Sequence, residues 1–398
     1  MEYQLINIST ESLKKNERKI IPYKIYNEEV ICAGDKGIYT YSGKIKKQIG
    51  ANVIRVVSKP FENNAKKLYY VSLVNKGYYH INLNSYTYET KTKEIILNIA
   101  TNLTSKDEAI RYIHQERVYF RYLDENLILF GYRKNCVNKN FEISFKDFKI
   151  ELSNEFNETF QNQILSLEDK EVLPLPKINF VAGPISWVND NANTYLVLKQ
   201  NFWRIDDKKE LFEYRKNYPL FDTSKNTLIS DDLFLLKYTK NAESKASLGN
   251  PFIIKPSDDN TMINVINAAN QKITYELQKF TEDEAYIVEF DLLTKQKSVT
   301  PIKRKYYPPI FKANNRLYSH GHNCLFDVID QDKDIIFSQE LGYFYIFLDT
   351  ENIITFYFDF EIYKPFSYIY NFKTKKSIKY EGALHYSKSD NVLISILY

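Results

Sequence analysis

Ser319-His320-Gly321-His322-Asn323-Cys324 is the stretch of this 398-residue chain whose residue types come nearest to a reactive constellation. Along a β-strand, positions i, i+2 and i+4 share a face, so His320, His322 and Cys324 would point the same way. Two imidazoles and a thiolate are competent zinc ligands, and three protein ligands plus a water make a catalytic type of zinc site. A half-buried strand entering a hairpin explains the same residues. Cys324 is then a small core side chain and a histidine bonds to its neighbour. No companion ligand pair elsewhere in the sequence separates the two readings.

Other chemistry-bearing patterns fall short of a site. Asp330-Gln331-Asp332-Lys333-Asp334 opens like a calcium loop, but Ile335 and Leu341 stand where that loop needs Gly and Glu. Asp and Lys in a hairpin turn account for it. Asp231-Asp232, Asp258-Asp259 and Glu282-Asp283-Glu284 offer paired carboxylates, yet a glycosidase holds its two carboxyls about 5–10 Å apart across a substrate. Neighbouring strand residues face opposite ways, so these pairs are expected in polar turns. Nucleophile-elbow, phosphate-loop and dinucleotide fingerprints do not occur. No cofactor is expected.

The elements that must position any site are short strands. Runs such as Glu29-Val30-Ile31-Cys32-Ala33 and Arg117-Val118-Tyr119-Phe120-Arg121-Tyr122 alternate with polar turns every few residues, the pattern of an all-β sandwich, barrel or propeller. The composition agrees, with 33 Tyr and 26 Phe against 11 Gly, since aromatic and β-branched side chains suit a pleated surface. Lys, Asn, Ile, Tyr and Phe also share AT-rich codons, so base composition contributes to the excess. Helix signals are few. Ser105-Lys106-Asp107-Glu108 is a capping box before Ile110-Arg111-Tyr112-Ile113-His114, which fits a strand equally well, and Phe160 to Leu167 reads as a surface helix.

A hairpin of aromatic strand, polar turn and second strand recurs along the chain. Its turns open at Ser42, Asn82, Leu123, Asp206, Asp291, Asp330 and Lys373, giving gaps of 40, 41, 83, 85, 39 and 43 residues. A period near 40 with four-stranded units is the signature of propeller blades, which bury both faces by stacking around an axis. The double gaps hold a degenerate hairpin (Phe141–Phe145 and Phe148–Leu152) and a polar loop at Asn241–Asn250. Repeat length and hairpin pattern resemble the WD40 and kelch propellers. The two Trp, Trp187 and Trp203, and the absence of Trp-Asp blade endings and Gly-Gly pairs carry neither family's signature, so the resemblance implies no functional residue. Tyr3–Ile8 precedes the first full hairpin, and Ala383–Tyr386 and Val392–Leu397 follow the last. Joined in one blade, these strands would close the ring and remove unpaired edges. The expected fold is therefore all-β: a single-domain propeller over 1–398 of seven blades, alternatively eight, with insertions near 153–172 and 240–260.

Charge and cysteines narrow the class. A net charge of +4 with 26% charged residues gives no concentrated basic stripe, so nucleic acid is not the expected partner. Lys44-Ile45-Lys46-Lys47 and Lys373-Thr374-Lys375-Lys376 read as edge-protecting decoration of outer strands. Cys32, Cys136 and Cys324 are odd in number and widely spaced, which fits a reducing compartment. The amino terminus lacks a signal-peptide pattern and the longest apolar run, Leu341–Leu348, is too short to span a bilayer, so a cytoplasmic location is expected. With no catalytic constellation, the expected function is a non-enzymatic protein-binding module, such as a bacterial interaction or immunity-type protein. Lys240–Asn250 and Pro308-Pro309 would be its contact loops. The alternative is a propeller hydrolase or lyase acting at the central channel.

Overall fold

The computed structural model describes residues 3–398 except 51, 102, 115–116, 134–140, 145–159, 174, 176–179, 204–228, 241–245, 256–260, 280–283, 304–310, 314–315, 322–323, 330–333, 338–343, 350, 360–363 and 372. After β1 (Gln4–Ser9), a first sheet runs β2 (Ile21–Tyr26), β3 (Glu29–Gly34), β4 (Gly37–Tyr41) and β5 (Ile45–Ile49). The second holds β6 (Val53–Val56), β7 (Lys67–Asn75), β8 (Tyr79–Thr87) and β9 (Lys93–Thr101). Helix α1 (Lys106–His114) follows, and β10 (Val118–Tyr122) and β11 (Leu127–Arg133) open the third sheet. The chain then returns through β12 (Phe141–Ser144) to the outer edge of β9, before β13 (Phe160–Ser166) and β14 (Glu171–Leu173) complete the third sheet.

β15 (Phe180–Asn189), β16 (Thr194–Trp203), β17 (Ile229–Thr239) and β18 (Ser247–Ile254) form a fourth antiparallel unit. A single parallel bridge, Ser230 to Thr261, joins it to a fifth unit. That fifth unit is β19 (Thr261–Ala269), β20 (Lys272–Lys279), β21 (Glu284–Asp291) and β22 (Lys297–Lys303). The sixth is β23 (Phe311–Ala313), β24 (Arg316–Gly321), β25 (Cys324–Asp327) and β26 (Asp334–Phe337). The seventh is β27 (Phe344–Phe347), β28 (Asn352–Asp359), β29 (Lys364–Asn371) and β30 (Lys376–Glu381). Last come β31 (Ala383–Ser387) and β32 (Val392–Leu397), which pair antiparallel, while β1 from the amino terminus lies parallel to β32 from Gln4–Val392 to Ser9–Leu397.

The fold is all-β and β-propeller-like: successive four-stranded meanders stack face on face. β7 shows why its sequence is apolar almost throughout. Leu68 and Tyr70 pack on the first sheet, whereas Tyr69, Val71 and Leu73 pack on the third. A strand covered on both faces reads as a continuous apolar run. The same two-sided burial recurs from the third sheet to the fourth and from the fourth to the fifth. It continues from the fifth to the sixth, through the Tyr318–Phe347 ring contact to the seventh, and on to β31 and β32. Ile8, Ile394 and Ile396 then pack against Val30, Cys32 and Tyr39 of the first sheet. Thr10 fastens this seam through its amide and hydroxyl, both donating to the Leu397 carbonyl at 2.9 and 2.8 Å. The Tyr3 hydroxyl donates to Asp349 Oδ2 at 2.8 Å, tying the amino terminus to the seventh sheet.

Turn chemistry explains where strands end. Asp124, Asp190 and Asp349 each accept two backbone amides two and three residues on, which closes the turn between first and second strands. Asn27-Glu28 and Asn270-Gln271 make the same connection as two-residue turns with both residues in the left-handed region. Between third and fourth strands, Lys91, Lys170, Lys295 and Lys375 take a left-handed φ of 52° to 59°.

Several sequence expectations change. Phe160–Leu167 is not a helix but β13, whose Ile164 and Leu165 are buried in opposite directions, one in each neighbouring core. Residues 106–114 are helical, with the Ser105 hydroxyl accepting the Glu108 amide at 3.4 Å and Ala109, Tyr112 and Ile113 buried. Phe141–Ser144 joins the second sheet instead of forming its own hairpin, and Phe148–Leu152 lies outside the described residues. Asn82 sits inside β8, not at a turn. The segments 153–172 and 240–260, expected as insertions, contribute β13, the start of β14 and β18. No helix among the described residues is long and apolar enough to cross a membrane.

Candidate functional site

In a four-stranded meander the turn joining strands one and two and the turn joining strands three and four lie at the same end. Three such turns, two from the first sheet and one from the second, border an open cavity of about 610 Å³. The first is Asn27-Glu28, whose φ values of 47° and 64° make a tight reversal that leaves Glu28 exposed and Glu29 half-buried. The second is Ser42-Gly43, where Gly43 has φ +79° and no atom lies within 4 Å of the space a side chain would fill. That conformation is open to glycine at little cost, and it leaves the mouth of the cavity unobstructed. The third runs from Tyr88 to Thr92 and is closed by the Thr87 amide donating to the Thr92 carbonyl at 2.9 Å.

Aromatic rings form the floor. Tyr26 ends β2 and lies 6.4 Å from Tyr88, centroid to centroid, with ring planes 34° apart. Tyr88 is 3% exposed and meets Tyr86 edge-on at 6.4 Å. Tyr86 is fully buried, and its hydroxyl has no hydrogen-bond partner among the described residues. Burial, followed by the charge of Glu29, pushes the Tyr86 hydroxyl up to about 12. An orphaned buried hydroxyl is costly and calls for an explanation.

Charge lines the wall. Glu28, Glu29 and Glu89 supply three carboxylates and Lys91 one ammonium, leaving a net charge of minus two. Lys91 Nζ donates to Glu29 Oε1 at 2.9 Å and lies 2.7 Å from Oε2, so this pair is largely self-neutralised. Glu28 and Glu89 remain exposed acceptors at the mouth. Such carboxylates can accept a proton, orient a water or hold a cation, and the volume falls in the range of small-molecule sites.

The sequence-derived candidates lie elsewhere. His320 stands near the end of β24 opposite Leu325, and Cys324 opens β25 opposite Gly321. The two therefore occupy adjacent strands of a hairpin and not one continuous strand. His322 lies outside the described residues, as do the side-chain surroundings of His320 and Cys324. Among the described residues no group of three His, Cys, Asp or Glu is placed to hold a metal. Asp231 and Asp232 fall within β17 opposite Asn201 and Gln200, not in a turn, and Asp232 is buried. Asp258-Asp259, Glu282-Asp283 and Pro308-Pro309 lie outside the described residues. Sequence reasoning passed over Glu28, Glu29, Glu89 and Lys91 because each is unremarkable in its own hairpin; only the stacking of two sheets brings them together. The Asn27-Glu28 turn between two apolar strands was the available signal.

No family model matches the sequence, and no curated protein matches it. Several solved structures are similar. Porphyromonas gingivalis dipeptidyl peptidase 4 is 11% identical with a TM-score of 0.45, over 95% of this chain and 55% of that one. This chain therefore spans about half the length of that peptidase. An oligogalacturonate lyase from Vibrio parahaemolyticus is 10% identical with a TM-score of 0.36, over 91% and 79% of the two chains. A Synechocystis apocarotenoid oxygenase variant is 10% identical with a TM-score of 0.35, over 90% and 70%. The names these structures carry are those of enzymes, against the expectation of a non-enzymatic protein-binding module. Likenesses of this strength carry no substrate or reaction across to this chain.

Proposed function

We propose that the chain is a single-domain, eight-bladed propeller enzyme of the hydrolase or lyase class, acting on a small polar substrate in the cavity between its first two sheets. The observation that carries this reading is the cavity itself. It combines about 610 Å³ of volume, a tyrosine floor and convergent carboxylates at one end of a stacked-sheet scaffold. Glu28 and Glu89 are the exposed bases that would take a proton from water or substrate, and Lys91, held on Glu29, would balance negative charge as it develops. The site lies at the turn face, not deep in the channel.

Eight blades are supported by seven four-strand units followed by a three-strand unit assembled from both termini. The fourth and fifth units share one bridge, Ser230–Thr261, which counts as a contact between blades more readily than as a continuous sheet.

The test is a turnover screen of the full chain with aminoacyl anilides, aryl glycosides, aryl esters and a polyuronide. Turnover of one class, lost in the Glu28→Gln/Glu89→Gln double variant, supports the proposal. Absence of turnover across the panel, or turnover indifferent to that variant, contradicts it.

A further inference from the structure

We infer that the outer edge of β1 docks an extended segment of another protein, which adds as a fourth strand antiparallel to β1. That segment carries carboxylates at its carboxyl-terminal end. The site is separate from the cavity and from the reaction proposed there.

The strand count is the first observation. Each of the first seven units has at least four strands, whereas the terminal unit has three, in the order β31, β32, β1. Among the described residues nothing pairs with the far edge of β1, and all of its residues except Ile6 and Ile8 are exposed. An uncovered edge presents unpaired N–H and C=O groups to any extended chain. The other outer strands carry a deterrent: Lys46 in β5, Glu171 in β14, Pro251 in β18, Lys297 in β22, Asp334 in β26 and Lys376 in β30. The edge of β9 is covered by β12. In contrast β1, Gln4-Leu5-Ile6-Asn7-Ile8-Ser9, has neither charge nor proline.

Apolar surface beside the same edge is the second. Ile378 is 60% exposed, more than any other large apolar side chain among the described residues. It pairs with Ile369, on the face of the seventh sheet that packs against the terminal sheet. Leu5, 40% exposed, shares a face of β1 with Tyr3, which packs in that interface. A strand added to β1 takes the stacked position opposite β30, where it covers Ile378 and continues the apolar face begun by Leu5.

Direction and charge are the third. β1 runs parallel to β32 and starts at the turn face, where the Tyr3 hydroxyl reaches Asp349. A strand antiparallel to β1 therefore ends at that face. The flanking first and seventh units bring exposed Lys44, Lys375 and Lys376 to the same end, none of them in an ion pair among the described residues. Carboxylates closing the added strand match these lysines. β1 of a second copy has no carboxylate to set against them. In strand addition the main-chain hydrogen bonds supply affinity, and alternate side chains supply specificity.

Fluorescence anisotropy of the full chain with a labelled heptapeptide tests the inference. The peptide alternates valine and threonine and ends in two aspartates; its counterpart ends in two lysines. Saturable binding of the acidic peptide is expected, at least tenfold tighter than that of the basic one. It should weaken at least tenfold in Lys44→Gln/Lys375→Gln/Lys376→Gln and in Leu5→Ser/Ile378→Ser, and stay unchanged in Val299→Ser on the outer strand β22. All these side chains are exposed, so folding is retained. Amide exchange of residues 4–9 should slow with the acidic peptide while that of 297–303 does not. No saturable binding, equal affinity for the two peptides, or protection that misses residues 4–9 overturns the inference. A concentration-dependent dimer in sedimentation, with residues 4–9 protected in the absence of peptide, assigns the edge to a second copy and overturns it as well.

Discussion

Ile8→Ala removes three carbons from the seam where β1 and β32 meet the first sheet. Ile8 is fully buried beside Val30, Cys32, Tyr39, Ile394 and Ile396. At about 0.8 kcal/mol for each buried methylene-sized group the lost transfer energy is about 2.4 kcal/mol. The unfilled space raises the total to about 3 kcal/mol, within the range of about 2–5 found for such truncations. Leu5, three residues earlier and on the opposite face of the same strand, is 40% exposed, and Leu5→Ala is expected to change stability by no more than about 0.5 kcal/mol. Equilibrium urea unfolding gives the two values, and amide exchange of residues 392–397 reports whether the loss is local to the seam. If Ile8→Ala costs no more than Leu5→Ala, the amino-terminal strand does not carry the closing contact and the packing argument fails.

Glycine substitutions separate backbone strain from collision. Gly43 and Gly382 share a left-handed φ of +79° and +82°, but a Cβ at Gly382 would come within 2.2 Å of the Ile396 carbonyl oxygen while Gly43 has open space. Gly43→Ala is expected to cost about 1 kcal/mol and Gly382→Ala about 3, read from the same urea transitions. Asp190 is held down at about 2 by hydrogen bonds from Ala192, Asn193 and Tyr195, partly offset by burial. Its folded value lies below the unfolded one, so the stability it contributes is complete above about pH 4 and lost as pH falls toward 2. Asp190→Asn should flatten that part of the acid unfolding profile. Burial holds the His385 imidazole down at about 4, and its Nε2 has no hydrogen-bond partner among the described residues. Neutral His385 therefore favours the fold above about pH 6.5, and this contribution disappears as pH falls toward 4. His385→Gln should remove the slope in that window, and an unchanged slope would show that another group produces it.

Local hairpins were legible in the sequence because their turns carry recognisable chemistry. Tyr3–Ile8, Ala383–Tyr386 and Val392–Leu397 were also legible as spare strands, and their pairing in one sheet follows from the need to cover edges. The repeat phase was harder. Asn82 matched the hairpin pattern inside β8 because Ile81 and Leu83 alternate with polar residues just as turn-flanking positions do. A sharper marker was the left-handed lysine of the outer turn at 91, 170, 295 and 375, which composition alone does not distinguish from any other lysine. Phe160–Ser166 misled because consecutive Ile164 and Leu165 suit a helix face as well as a strand buried on both sides. Beyond the Asn27-Glu28 turn the cavity was not legible: Glu29 and Lys91 are 62 residues apart, and only the stacking of the first two sheets makes them an ion pair.

The measurement closest to the centre of these conclusions is carboxyl footprinting. The full chain is labelled with a carbodiimide and an amine tag, with and without a saturating amine-free product of the turnover found in the screen, and the modified peptides are read by mass spectrometry. Glu28, Glu29 and Glu89 should be protected together, with Glu381 and Asp390 unchanged. Protection that misses these three glutamates, or that spreads evenly over the surface carboxylates, would contradict the assignment of the cavity as the functional site.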